Sequence, residues 1–76
     1  MMKLSEIKPN VSFKIQRLSN LHPVTKRRLK DMGISEGQCV CVRRYCPFGG
    51  PCMIEASGQL IGLRRKDTGY IEGELA

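Results

Sequence analysis

Between Val11 and Gln16 apolar and polar residues alternate, with Val11, Phe13 and Ile15 on one side and Ser12, Lys14 and Gln16 on the other. A period of two is that of a half-buried β-strand, whose successive side chains point to opposite faces. Leu18 marks its predicted end. The period then changes. Pro23 suits the first turn of a helix, where its missing amide hydrogen would have no partner, and Leu29 and Met32 supply an apolar i, i+3 stripe. Gly33 is placed to stop that helix by taking a left-handed conformation just past the cap. Ile34 can then pack back on Leu29, as in a Schellman motif. Lys26, Arg27 and Lys30 fall on the opposite, solvated side, with Arg28 near the boundary.

The second half of the chain is written almost entirely in strands. Gly37 introduces one from Gln38 to Tyr45, with Val40 and Val42 on one face and Cys39 and Cys41 on the other. Pro47-Phe48-Gly49-Gly50-Pro51 reads as a turn. Met53 to Ala56 is a strand, Ser57-Gly58 a tight hairpin turn, and Gln59 to Leu63 the partner strand, with Ile61 and Leu63 inward. Arg64 to Gly69 is a short turn or a single 3₁₀ turn before a final strand, Tyr70 to Glu72. About five short strands result, with one helix inserted after the first. So many edges in so short a chain favour a sheet that curls on itself. The expected fold is mainly β with one inserted helix, a small, partly closed SH3-like barrel.

The chain has 76 residues, which makes residues 1–76 a single domain, since two cores would each be too small to offset chain entropy. Its only aromatic residues are Phe13, Tyr45, Phe48 and Tyr70, so the core must be aliphatic. No stretch approaches the roughly 18 apolar residues of a membrane span, and Met1 to Ser5 lacks the apolar heart of a signal peptide, so the expected location is the cytosol. In that reducing compartment four cysteines are expected as free thiols or metal ligands rather than disulfides. The net charge of +6 attracts acidic partners, whether protein, nucleic acid or anionic membrane surface.

The order of these features resembles the FeoA family of small ferrous iron transport proteins over nearly the whole chain. The residues that carry the resemblance are the Arg28-Leu29-Lys30-Asp31-Met32-Gly33-Ile34 helix end, the Gly37 turn with Val40 and Val42, the Gly49-Gly50-Pro51 loop, and the Ile61-Gly62-Leu63-Arg64-Arg65-Lys66-Asp67 run. The resemblance implies an SH3-like barrel that serves iron homeostasis in the cytosol through protein–protein interaction. The implied partner is FeoB, a membrane iron permease with a GTP-binding domain. It implies no enzyme activity, no catalytic residue and no cofactor. Similar domains form the carboxy-terminal part of some metal-dependent repressors, but this chain lacks the helix-turn-helix that would read DNA. Two features depart from the pattern: Thr68 stands where a small alanine is usual, and four cysteines are more than expected.

Cys39, Cys41, Cys46 and Cys52 are the only candidates for a thiolate metal site, and their spacing argues against one. Residues two apart on a strand have Cα atoms roughly 6.5 Å apart, and no C-x2-C knuckle gathers the sulfurs. The alternative is thiols serving as small hydrophobes. His22, the single histidine, reads as a residue that opens the helix rather than a ligand, and no histidine–carboxylate cluster suits iron. Gly49-Gly50-Pro51 lacks the lysine and hydroxyl residue of a P-loop, so it reads as a surface loop with Phe48 as an apolar anchor for a partner. The cations fall into three groups: Arg27, Arg28 and Lys30 with Lys26 on the helix, Arg43 and Arg44 after the second strand, and Arg64, Arg65 and Lys66 near the end. Merged into one face they would form an electrostatic docking surface; unmerged they are ordinary solvated charge. A nucleic-acid-binding barrel is the competing class, weakened by the few aromatic rings available for base stacking. A homodimer through an open barrel edge is a further expectation. One histidine cannot build a Ser-His-Asp set, which disfavours an enzyme.

Overall fold

The computed structural model describes all 76 residues. Six strands form one antiparallel sheet: β1 (Met2–Lys3), β2 (Ser12–Arg17), β3 (Cys39–Tyr45), β4 (Cys52–Ala56), β5 (Gln59–Leu63) and β6 (Glu72–Leu75). Their spatial order is β1-β6-β2-β3-β4-β5, so β1 and β5 are the free edges and the barrel is not fully closed. Helix α1 (Pro23–Asp31) fills the connection from β2 to β3, a 3₁₀ turn (Leu4–Glu6) follows β1, and a four-residue helix, α2 (Arg65–Thr68), follows β5. The gap between the edge strands is bridged where α2 packs on the 3₁₀ turn.

The alternating strand, the inserted helix and the hairpin lie where the pattern predicts them. In the hairpin, Ala56 pairs with Gln59 and Ile54 with Ile61 across Ser57 and Gly58, whose φ angles of 51° and 78° are those of a type I′ turn. The helix end is a full Schellman motif: Ile34 N–H donates to the Leu29 carbonyl at 2.9 Å and Gly33 N–H to that of Lys30 at 3.0 Å. Gly33 has φ +87°, which a side chain would oppose. Three details differ from expectation. β1 is a sixth strand whose two residues are too few to show a period. The last strand runs Glu72–Leu75 rather than Tyr70 to Glu72: Tyr70 is exposed, and Ile71 turns into the core before pairing begins. Arg65–Thr68 is a short α-helix rather than a 3₁₀ turn.

The core is aliphatic around one ring. Phe13 is fully buried among Ile15, Leu29, Ile34, Val42, Ile54, Ile71 and their neighbours. Truncating a buried leucine such as Leu29 to alanine typically costs about 2–5 kcal/mol, a large share of what a domain this size commands. Thr68 is also fully buried, yet its hydroxyl donates to the Arg65 carbonyl at 2.6 Å, so the extra polar group relative to alanine is satisfied inside its own turn.

Candidate functional site

At one end of the barrel the β3–β4 connection meets α2. The loop is tied by short backbone bonds, Cys46 N–H to the Pro51 carbonyl at 3.0 Å and Gly50 N–H to the Pro47 carbonyl at 3.1 Å. Close packing accompanies them: a Cβ on Gly50 would lie 2.8 Å from the Cys46 Cβ. Arg65 supports the loop from below. Its Nη2 donates to the Cys46 carbonyl at 2.9 Å while its guanidinium carbon lies 4.9 Å from the centre of the Tyr45 ring. Tyr45 in turn reaches the start of the chain, its hydroxyl lying 2.7 Å from the Ile7 carbonyl and 3.1 Å from that of Leu4. Burial raises the pKa of Tyr45 and so holds its phenol proton more tightly, the nearby Cys52 adds to the rise, and Arg65 opposes it. On this scaffold Phe48 is fully exposed, at φ 58°.

Two clefts flank α2. In one, Gly49, Gly50 and Pro51 face Arg64, Arg65 and Lys66. In the other, Arg28 of α1 meets Arg64 and Lys66, and Asn20, His22, Asp67 and Tyr70 are among the remaining lining residues. Arg28, Arg64 and Lys66 thus converge, and none of them is held in an ion pair. The two ion pairs of the molecule lie elsewhere, Arg17 to Glu72 at 3.8 Å and Arg43 to Glu55 at 3.0 Å. His22 caps α1, its Nδ1 accepting from Val24 N–H at 3.2 Å, so it opens the helix as its position before Pro23 implies.

The other candidate cations are placed apart from this cleft. Arg27 and Lys30 line a separate shallow depression on the outer side of α1 with Lys26. Arg43 donates to the Glu55 carboxylate and to the Asn10 side-chain oxygen, and the Glu55 hydrogen bond holds its proton more tightly than usual. Arg44 lies opposite Met53 beyond a bulge in the β3–β4 pairing. The three sequence groups therefore contribute unequally: Arg64 and Lys66 of the last group come together with Arg28, Arg65 lies under the β3–β4 loop, and Arg43 is paired with Glu55. The cleft also recruits Asn20 and Tyr70, which sequence reasoning did not select. Exposed Tyr70 beside the basic run was the available signal, hidden by its assignment to a strand.

The four thiols are dispersed through this scaffold. Cys39 is exposed, Cys41 and Cys46 are half-buried, and Cys52 is fully buried at the start of β4, where burial pushes its thiol up from the ordinary value. No group of three or more histidine, cysteine, aspartate and glutamate side chains converges to hold a metal ion.

Residues 2–75 match the family model described as the FeoA domain. The chain belongs to the FeoA family. FeoA proteins are accessory, transport-associated domains linked to ferrous iron transport. Solved structures agree in fold. The solution structure of FeoA from Chlorobium tepidum is 31% identical with a TM-score of 0.89, the match covering 97% of this chain and 70% of that one. Iron(II) transport protein A from Clostridium thermocellum is 29% identical with a TM-score of 0.88, covering 99% of this chain and 46% of that one. The zinc-complexed FeoA of Stenotrophomonas maltophilia, described as a prokaryotic SH3-domain protein, is 23% identical with a TM-score of 0.80 and covers 97% and 91%, a likeness of fold. No curated protein sequence matches the chain. No helix is long and apolar enough to cross a membrane.

Proposed function

We propose that this FeoA protein is a cytosolic accessory factor of ferrous iron uptake that docks on the GTP-binding domain of a FeoB-type permease through the cleft between α1 and α2. The observation that carries the proposal is the convergence of Arg28, Arg64 and Lys66, three cations without ion-pair partners, on one cleft of a family member. Unpaired charge costs little solvation to present and complements an acidic protein face, where it raises the association rate and makes binding salt-sensitive. A role as an activating factor of bacterial ferrous iron transport has been suggested for the S. maltophilia relative, in keeping with this reading.

The test is a titration of the reduced protein against the permease's GTP-binding domain at two salt concentrations, with mixed-sequence duplex DNA in parallel. Saturable binding that survives moderate salt is expected with the domain. Arg28→Glu combined with Lys66→Glu should weaken it about 10–100-fold, whereas Arg43→Glu, which reverses a charge already paired with Glu55, should change it less than about threefold. Binding to DNA alone, with an affinity falling steeply with salt, would reassign the cleft to nucleic acid.

A further inference from the structure

Phe48 is the most exposed apolar side chain of the molecule, at 104% of its reference area, and it stands in the left-handed region at φ 58°. A β-carbon is disfavoured there, so the conformation persists because the surrounding loop imposes it. The imposing contacts are the backbone closures at Cys46 and Gly50 and the Arg65 donation to the Cys46 carbonyl. Behind the ring, Gly49 and Gly50 carry no side chain. Beside them lie Arg64, Arg65 and Lys66.

We propose that this end of the barrel docks on anionic phospholipid bilayers, with Phe48 entering the interfacial layer and Arg64 and Lys66 resting on the lipid phosphates. A protein anchor is normally the centre of a packed apolar patch surrounded by a polar rim. Here a single ring projects from a narrow, side-chain-poor tip and its neighbours across the cleft are cations. That arrangement fits an interface whose outer layer is anionic and whose next layer is apolar. The charge complementarity is general as well as local, since the whole chain carries +6. Docking of this kind would place the protein in the plane where a membrane permease works and raise its effective concentration there. Arg64 and Lys66 line both clefts, so the bilayer and the proposed protein partner would share them, whereas Phe48 belongs to the membrane reading alone and its test contains no protein partner.

The sequence has no tryptophan, so Phe48→Trp supplies a single fluorescent reporter at the tip. With phosphatidylcholine vesicles containing phosphatidylglycerol, its emission should shift to the blue and the protein should co-sediment. With phosphatidylcholine alone neither should occur, and high salt should reverse both. Phe48→Gly relieves the backbone strain, so it keeps the fold while removing the ring, and it should partition about tenfold more weakly. Arg64→Glu with Lys66→Glu should lower partitioning at least about 25-fold. Unshifted tryptophan emission with undiminished sedimentation of Phe48→Gly would reduce the effect to surface charge and overturn the proposal. So would the absence of sedimentation with anionic vesicles.

Discussion

Two connections of the sheet solve the same geometric problem with different residues. Ser57-Gly58 and Phe48-Gly49 both place two consecutive residues at positive φ, 51° and 78° in the first, 58° and 73° in the second. Between β4 and β5 the first of these positions holds a small polar residue, whose hydroxyl accepts from Gln38 Nε2 at 3.0 Å. Between β3 and β4 it holds a fully exposed phenylalanine. Turning the chain does not call for a bulky ring in a left-handed conformation, and no burial compensates it. The contrast separates a connection whose residues serve the fold from one whose central residue burdens it.

Gly50→Ala should break the second connection most severely, because the new Cβ would have to displace the Cys46 Cβ, 2.8 Å away. A loss of about 2 kcal/mol is expected in a urea titration. Arg65→Ala should cost less, about 1 kcal/mol, through the lost donation to the Cys46 carbonyl and the lost contact with Tyr45. It should also loosen residues 46–51 in hydrogen exchange while leaving the Ser57-Gly58 turn protected. Phe48→Gly should change sign, raising stability by about 0.5 kcal/mol, since the relief of the left-handed conformation exceeds the added entropy of the unfolded chain. A thermal melt that falls instead would show that the ring has a structural role after all.

Alkaline pH should sharpen the contrast by a shallow slope, because the titrating groups with raised values border the β3–β4 connection. Burial raises Cys52 above the ordinary thiol value of 9.0 and Tyr45 above the ordinary phenol value of 10.0. The unfolded chain therefore releases these protons first. Stability is fully present below about pH 9 and falls as pH rises from there toward the folded values. Chemical denaturation under reducing conditions between pH 8 and about 10.5 should show this decline, and Cys52→Ala should remove its earlier part.

Local chemistry made much of the fold legible. The strand around Phe13, the hairpin turn and the glycine-terminated helix each rest on contacts within a few residues, and all appear where the pattern puts them. β1 escaped because two residues carry no period. The position of the last strand depends on where β2 receives it, information absent from residues 70–75. The site was legible only in its parts. Charge identified Arg28, Arg43, Arg64 and Lys66 alike, but whether a cation is free depends on the strand beside it. Glu55 neutralises Arg43 across the β3–β4 pairing, whereas Arg28 meets α2 only after the barrel has folded. Tyr45 was recognised merely as an end of β3. Its service as a post between the first residues of the chain and Arg65 is a tertiary property.

That post has an optical consequence. Without tryptophan, the near-ultraviolet spectrum of the protein belongs to its tyrosines, Tyr45 and Tyr70, with weak phenylalanine bands. Tyr70 is open to solvent, while Tyr45 is half-buried with a guanidinium against its face and two main-chain carbonyls at its hydroxyl. The circular dichroism of one fixed chromophore therefore reports, without any label, whether the Arg65 support is seated.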